Sequence, residues 1–247
     1  IDFEPVGAKA EGREPEGMHA GTAALFPTEF EKSPHAPLPK GWSYSPAQFL
    51  YEVGIGKTPP RKEPQWFTSG SGDMRWLSIR DMGEQGTVAS RSAEYLSHEA
   101  IQRFNIRVVP DRTVLVSFKL TVGRLAITDG AMTTNEAIAH FKSVKGSPPF
   151  TYLFSYLKSF DFTSLGSTSS IAEASNSKTV KRMRILLPGN DLASAFHERV
   201  LGLFERMFLN EKLVCDLEAM RDALLPRLVS GKLRAAEAER ALKEAFA

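Results

Sequence analysis

The last quarter of the chain carries its most regular pattern of apolar and polar positions. From Phe196, steps of four and three reach Val200, Leu203, Met207, Asn210, Val214, Leu217, Arg221 and Leu224, and seven of these nine positions are apolar. That spacing is the seam of a coiled coil. Asn190 or Asp191 can cap the start, and Pro226 predicts the stop, because proline lacks the amide and crowds the preceding turn. A helix of about 35 residues would make a rod of roughly 50 Å. Leu201, Phe204 and Phe208 flank the seam and widen it. A stripe this wide cannot face water, so it packs on its own domain or on a partner helix, and the length of the rod favours the partner. Beyond the proline, SGKLRAAEAERALKEAFA (230–247) predicts a short second helix.

Residues 41–190 show other periods. WLSIR (76–80), TVLVSF (113–118), RLAITD (124–129) and VKRMRILL (180–187) alternate or are rich in β-branched residues, as strands are. PPFTYLFSYLKSF (148–160) opens with prolines and repeats Phe150, Leu153, Phe154 and Leu157 at helical spacing. SHEAIQRF (97–104) predicts a short helix capped by Ser97. No regular strand–helix alternation recurs, so the pattern predicts a mixed, strand-rich α+β domain rather than a doubly wound sheet. Residues 1–40 are rich in Pro, Glu and Gly without sustained period and predict an extended spacer or tether. Three segments follow: spacer 1–40, compact domain 41–190 and helices 191–247.

Charge sharpens this division. Residues 1–40 hold four basic and seven acidic side chains, residues 41–190 hold 18 and 12, and residues 191–247 hold nine and ten. The central domain therefore carries the positive charge, which points towards nucleic acid. A single cysteine, Cys215, excludes an internal disulfide and fits a reducing cytoplasm. No apolar run approaches the ~20 residues of a spanning helix. The first residues, IDFEPVGAKAEG, are too acidic for a signal peptide, and without an initiator Met they suggest a start inside a longer reading frame or after processing.

Candidate chemistry is sparse. GIGKT (54–58) resembles the end of a phosphate-binding P-loop, but Tyr51 stands where that pattern needs glycine, and Pro59-Pro60 cannot open the required helix. SPPF (147–150) resembles the Asp/Asn/Ser-Pro-Pro-aromatic motif of methyltransferases acting on base amino groups, which supports an alternative reading as the recognition fragment of an adenine methyltransferase. The glycine-rich cofactor loop of that family is missing. A Pro-Pro helix start with Phe150 in the core is the competing account. The five histidines are scattered, and Cys215 sits beside the helical seam as a packing residue. Two polar stretches remain: KTPPRKEPQWFTSGSGD (57–73) and TSLGSTSSIAEASNSK (163–178). Either is a solvated loop or a DNA-reading loop, since Lys and Arg neutralise phosphates while Ser, Thr, Asn and Arg read base edges.

The order of local motifs resembles a target recognition domain of type I restriction-modification specificity subunits. LPKGW (38–42), GKTP (56–59), GDMRWLSIRDM (72–82), TVLVSFKLTVGRLAITDGAMTTNEAI (113–138), LGSTSSIAEASNSKTVKRMRILLP (165–188) and MRDALLPRLVSGKL (220–233) follow one another as in that family. IDFEPVGAKAEGREPEGM resembles the spacer that precedes a second recognition domain. The family has two recognition domains and two helical regions, and this chain has one of each. It also has Ser169 where Gln commonly follows Ser-Thr. The resemblance implies a non-catalytic, DNA-reading protein whose antiparallel helices set the distance between two half-sites and dock methyltransferase subunits. It implies no cofactor on this chain. S-adenosylmethionine, ATP and Mg would be used by the methyltransferase and restriction/translocase partners. Lys57, Arg61, Lys62 and Arg124 are expected at phosphates, and Arg75, Ser78, Arg80, Ser167, Thr168 and Asn176 at bases. Asn135 is either a reader or a turn residue. Phe196, Val200, Leu203, Met207, Asn210, Val214, Leu217 and Leu224 are expected to pair helices, including with a second copy of the chain.

Overall fold

The computed structural model describes residues 3–34, 36–70, 72–163 and 177–231, together with 240 and 243. It is strand-rich and ends in a long helix, as the α+β reading expects. The chain divides into two compact units, Ile1–Phe204 and Glu205–Ala247.

A five-stranded sheet forms the centre of the first unit. Its order is Tyr51–Ile55, Ile138–Ser143, Val114–Ser117, Leu125–Thr128 and Val88–Ala89, antiparallel except for the last pair. Val114–Ser117 is buried on both faces, which explains its unbroken Val-Leu-Val run. A second sheet runs Thr133–Thr134, Met74–Leu77, Glu94–Leu96 and Phe67–Thr68. Leu77, Met82, Leu115, Met132 and Ile138 share one core cluster, while Trp66, Trp76, Leu96 and Ile106 form another under the second sheet.

The strand expected over WLSIR ends at Leu77, and a helix, Ile79–Glu84, follows. The reason is a capping box. Ser78 Oγ accepts from Asp81 N at 3.1 Å, and Asp81 Oδ2 accepts from Ser78 N at 2.8 Å. The expected strand VKRMRILL is likewise split, into a helix Ser177–Lys181 and a strand Arg184–Leu187 that pairs with Ser43–Pro46. Helices Phe150–Lys158 and His98–Arg103 form where expected, the latter capped by Ser97 Oγ on Ala100 N at 3.2 Å. The stretch expected to be extended carries two short helices, Glu4–Ala10 and Ala20–Ala24. Val6 and Ala8 are buried, and Lys9 Nζ donates to Ala23 O at 2.9 Å, which ties the helices together.

The long helix spans Asn190–Val229 and passes through Pro226 instead of stopping there. The proline removes its own amide and crowds the turn before it, but it leaves the bonds of the turn after it intact. Ser230 N still reaches Pro226 O at 3.1 Å, and Gly231, at φ +70°, closes the end by donating to Leu228 O. The short helix expected after it falls largely outside the described residues. Inside the first unit the helix packs on Phe150–Lys158. Phe196 meets Tyr152 edge-on at 6.2 Å, and Phe204 meets Phe150 and Phe154, each at 5.8 Å.

Candidate nucleic-acid interface

The Gly-Lys-Thr-Pro turn is held against the domain by backbone. Gly56 has no room for a side chain, because a Cβ would overlap the Thr134 and Asn135 carbonyl oxygens and the Thr134 hydroxyl. Lys57 N donates to Thr134 O at 2.9 Å, and Trp76 Nε1 donates to Lys57 O at 3.2 Å. The Gly, the Trp and the Asn-bearing turn of the sequence pattern are thus one structural joint. Asn135 Oδ1 accepts from Ala137 N at 3.1 Å, the turn-stabilising role.

The expected phosphate contacts differ in how much charge they have to offer. Lys57 Nζ donates to Phe104 O at 2.6 Å. Arg61 lies over the rings of Phe67 and Trp76, 4.1 and 4.6 Å from their centroids, and makes a two-pronged pair with Glu94 at 2.6 and 2.9 Å. Lys62 is exposed and has no ion pair among the described residues. Arg124 is half-buried, with Nη1 donating to Ile79 O at 2.8 Å.

The expected base readers are similarly divided. Arg75 donates to the carbonyl oxygens of Ser90, Asp129 and Ala131, so its guanidinium joins two loops. Ser78 is the helix cap, and Arg80 is in the helix rather than alternating along a strand. Arg80 is 83% exposed and pairs one turn on with Glu84 at 2.8 Å, a solvent-screened contact readily exchanged for another anion. Ser167, Thr168 and Asn176 lie outside the described residues. Arg124 joins the hairpin turn to the helix Ile79–Glu84 that carries Arg80 and is capped by Ser78, while Lys57 and Arg61 both contact Trp76.

Sequence reasoning missed Asp81 and Gln85. Asp81 is buried, and besides the capping box it accepts from Ala93 N at 3.2 Å. Gln85 Oε1 accepts from Ser90 N and Arg91 N, while its Nε2 donates to Asp81 O and Arg91 O. Together they fix loop 85–93 under Arg75. The Ser-x-x-Asp spacing was the signal available. Sequence reasoning also missed a charged cleft where Glu52 bridges Arg107 and Lys142 over buried His140. Lys142 draws the Glu52 carboxyl below its usual range.

SPPF is spent on folding. Ser147 Oγ donates to Leu50 O and accepts from Val144 N, Pro149 caps the helix, and Phe150 packs on His197 and Phe204. Among the described residues no group of three His, Cys, Asp or Glu side chains could hold a metal, and no helix is long and apolar enough to cross a membrane.

The expected helix-pairing residues lie on both sides of the division between units. Phe196 is half-buried against Tyr152, and Val200, Met207 and Leu224 are also half-buried. Leu203 is 66% exposed, and Asn210, Val214 and Leu217 are exposed as well.

No protein-family model matches the chain. The type I restriction enzyme HindI specificity subunit of Haemophilus influenzae is 25% identical over 94% of this chain and 59% of its own length. The MjaIX specificity subunit of Methanocaldococcus jannaschii is 24% identical over 75% of this chain and 43% of its own. The solved HsdS subunit from Thermoanaerobacter tengcongensis superposes with a TM-score of 0.53 at 18% identity, over 86% of this chain and 49% of that one. A chain from a structure addressing complex assembly and conformational transition of the type I R-M system gives 0.54 at 16%, over 89% and 49%. The chain thus spans about half the length of the relatives it matches. Its fold is that of the HsdS structures, and its curated relatives are type I specificity subunits.

Proposed function

We propose that this chain is a non-catalytic, cytoplasmic DNA-specificity component of a type I restriction-modification system. Domain 41–190 reads one part of a bipartite double-stranded target. The helices of 191–247 set the distance to the second part and dock methyltransferase subunits, through which a restriction/translocase subunit joins. Methylation with S-adenosylmethionine and Mg- and ATP-dependent cleavage belong to those partners, and this chain binds no cofactor itself.

The observation that carries the reading is the joint one: relatives with this name, and a strand-rich domain running into a 40-residue helix with an exposed apolar seam. A helix can hold two half-sites at a fixed distance on a duplex, whereas a flexible tether would let the spacing wander. We assign exposed Lys62 to a phosphate, and Thr168 and exposed Arg80 to base reading.

Two binding measurements separate this reading from a methyltransferase fragment. Equilibrium dialysis of the chain alone should retain no S-adenosylmethionine, while anisotropy with duplex DNA should show salt-dependent binding. Cofactor retained by the chain alone would favour the methyltransferase.

A further inference from the structure

The hairpin turn joining Val114–Ser117 to Leu125–Thr128 presents an apolar side chain to water. Leu120 is 93% exposed, more than any other large hydrophobic side chain among the described residues, and Val122 is 48% exposed. The Leu120 backbone sits at φ +61°, a left-handed conformation that costs a branched residue energy and persists where the surroundings enforce it.

The surroundings do enforce it. Ser117, fully buried, donates its hydroxyl to Thr121 O and accepts from Arg124 N at 2.9 Å, and Gly123 N donates to Ser117 O at 2.8 Å. Gly123 is at φ +88°, and a Cβ there would lie 2.9 Å from the Phe162 ring. The turn is therefore pinned at its base and free at its tip.

Charge decides what the tip fits. The turn itself, residues 118–124, contains Lys119 and Arg124 and no carboxylate. Arg124 ties the turn to the helix that bears exposed Arg80, and the Phe162 ring abuts Gly123. An apolar point in a cationic surround suits a nucleic-acid duplex, where phosphates flank an apolar base stack, and apolar wedges between base steps are an established way to kink DNA.

We infer that Leu120, backed by Val122, is a DNA wedge that enters the base stack at one step of the target and unstacks it, with Lys119 at a neighbouring phosphate. The inference rests on the DNA-reading role proposed above. It gives the domain specificity through deformability, at a step that no hydrogen bond reads.

The test uses the full chain with its methyltransferase subunit, on the duplex identified by methylation mapping, with 2-aminopurine placed in turn at each target step other than the methylated base. The wild type should raise fluorescence several-fold at one step. Leu120→Ala should abolish that rise, and so should Leu120→Asn, which tolerates the left-handed backbone and so preserves the turn. Leu120→Met should keep it. Duplex binding without a rise at any step overturns the wedge and leaves the DNA-reading role standing, whereas no duplex binding overturns both. An unchanged rise with weakened methyltransferase binding in Leu120→Ala would make the tip a protein-docking surface and also overturn the wedge.

Discussion

His140 Nε2 lies 2.5 Å from Thr134 Oγ1 in the core of the domain, and both residues are almost wholly buried. Burial, with a smaller contribution from Arg107, holds the imidazole down to about 3. An unfolded histidine titrates near 6.5. Below that pH the unfolded chain takes up a proton that the folded chain refuses. The histidine's contribution is therefore complete above about 6.5 and is lost as pH falls towards 3, by about 1.4 kcal/mol per unit. Urea midpoints at pH 7.5 and pH 5 should differ by an amount equivalent to about 2 kcal/mol in the wild type. The difference should shrink in His140→Gln, and equal midpoint shifts in both proteins would show that this histidine is not the titrating group.

Gly56 and the Thr134–Asn135 turn leave no space between them. The obstruction is mostly backbone, so it cannot swing aside. Gly56→Ala should destabilise the domain by about 3 kcal/mol or more, read as a fall in thermal midpoint. A midpoint within a degree of the wild type would mean that the joint is looser than described.

Arg61 and Lys62 are neighbours that should respond differently. Lys62→Ala should leave stability unchanged and reduce the salt slope of DNA binding by about one unit, with equal weakening on all sequences. Arg61→Ala strips the cation from Phe67 and Trp76 and leaves Glu94 unpaired, so it should lower stability by about 1 kcal/mol. An unchanged slope in Lys62→Ala would remove that residue from the interface.

The exposed positions Leu203, Val214 and Leu217, together with Asn210 between them, predict self-pairing of this chain through residues 192–224. Two antiparallel copies would bring Asn210 near its own counterpart and fix register. Sedimentation at tens of micromolar should show a dimer, and Met207→Asp should convert it to a monomer. A wild-type monomer unaffected by that charge would leave this seam for a different chain.

What the sequence made legible follows from how local each cause is. Ser97 announces its helix because a cap acts within four residues, and Val114–Ser117 announces a buried strand by its composition alone. The break at Ser78 was also local, but the strand-like run Trp76–Arg80 masked the Ser-x-x-Asp box. Pro226 misled because proline removes one amide without forbidding the turn after it. Arg75 could not be assigned from sequence. Its carbonyl partners lie 15 to 56 residues away, and only the fold brings them together. For Ser167, Thr168 and Asn176, the motif order remains the whole argument.

Single-molecule sequencing of DNA from cells that express this chain with the methyltransferase subunit proposed as its partner tests the central claim most directly. The account predicts one new methylated motif, an inverted repeat interrupted by a spacer of fixed length, with Arg80→Ala relaxing one base position by about 1–3 kcal/mol in each half. Methylation that is absent, or that is present and identical without this chain, would contradict it.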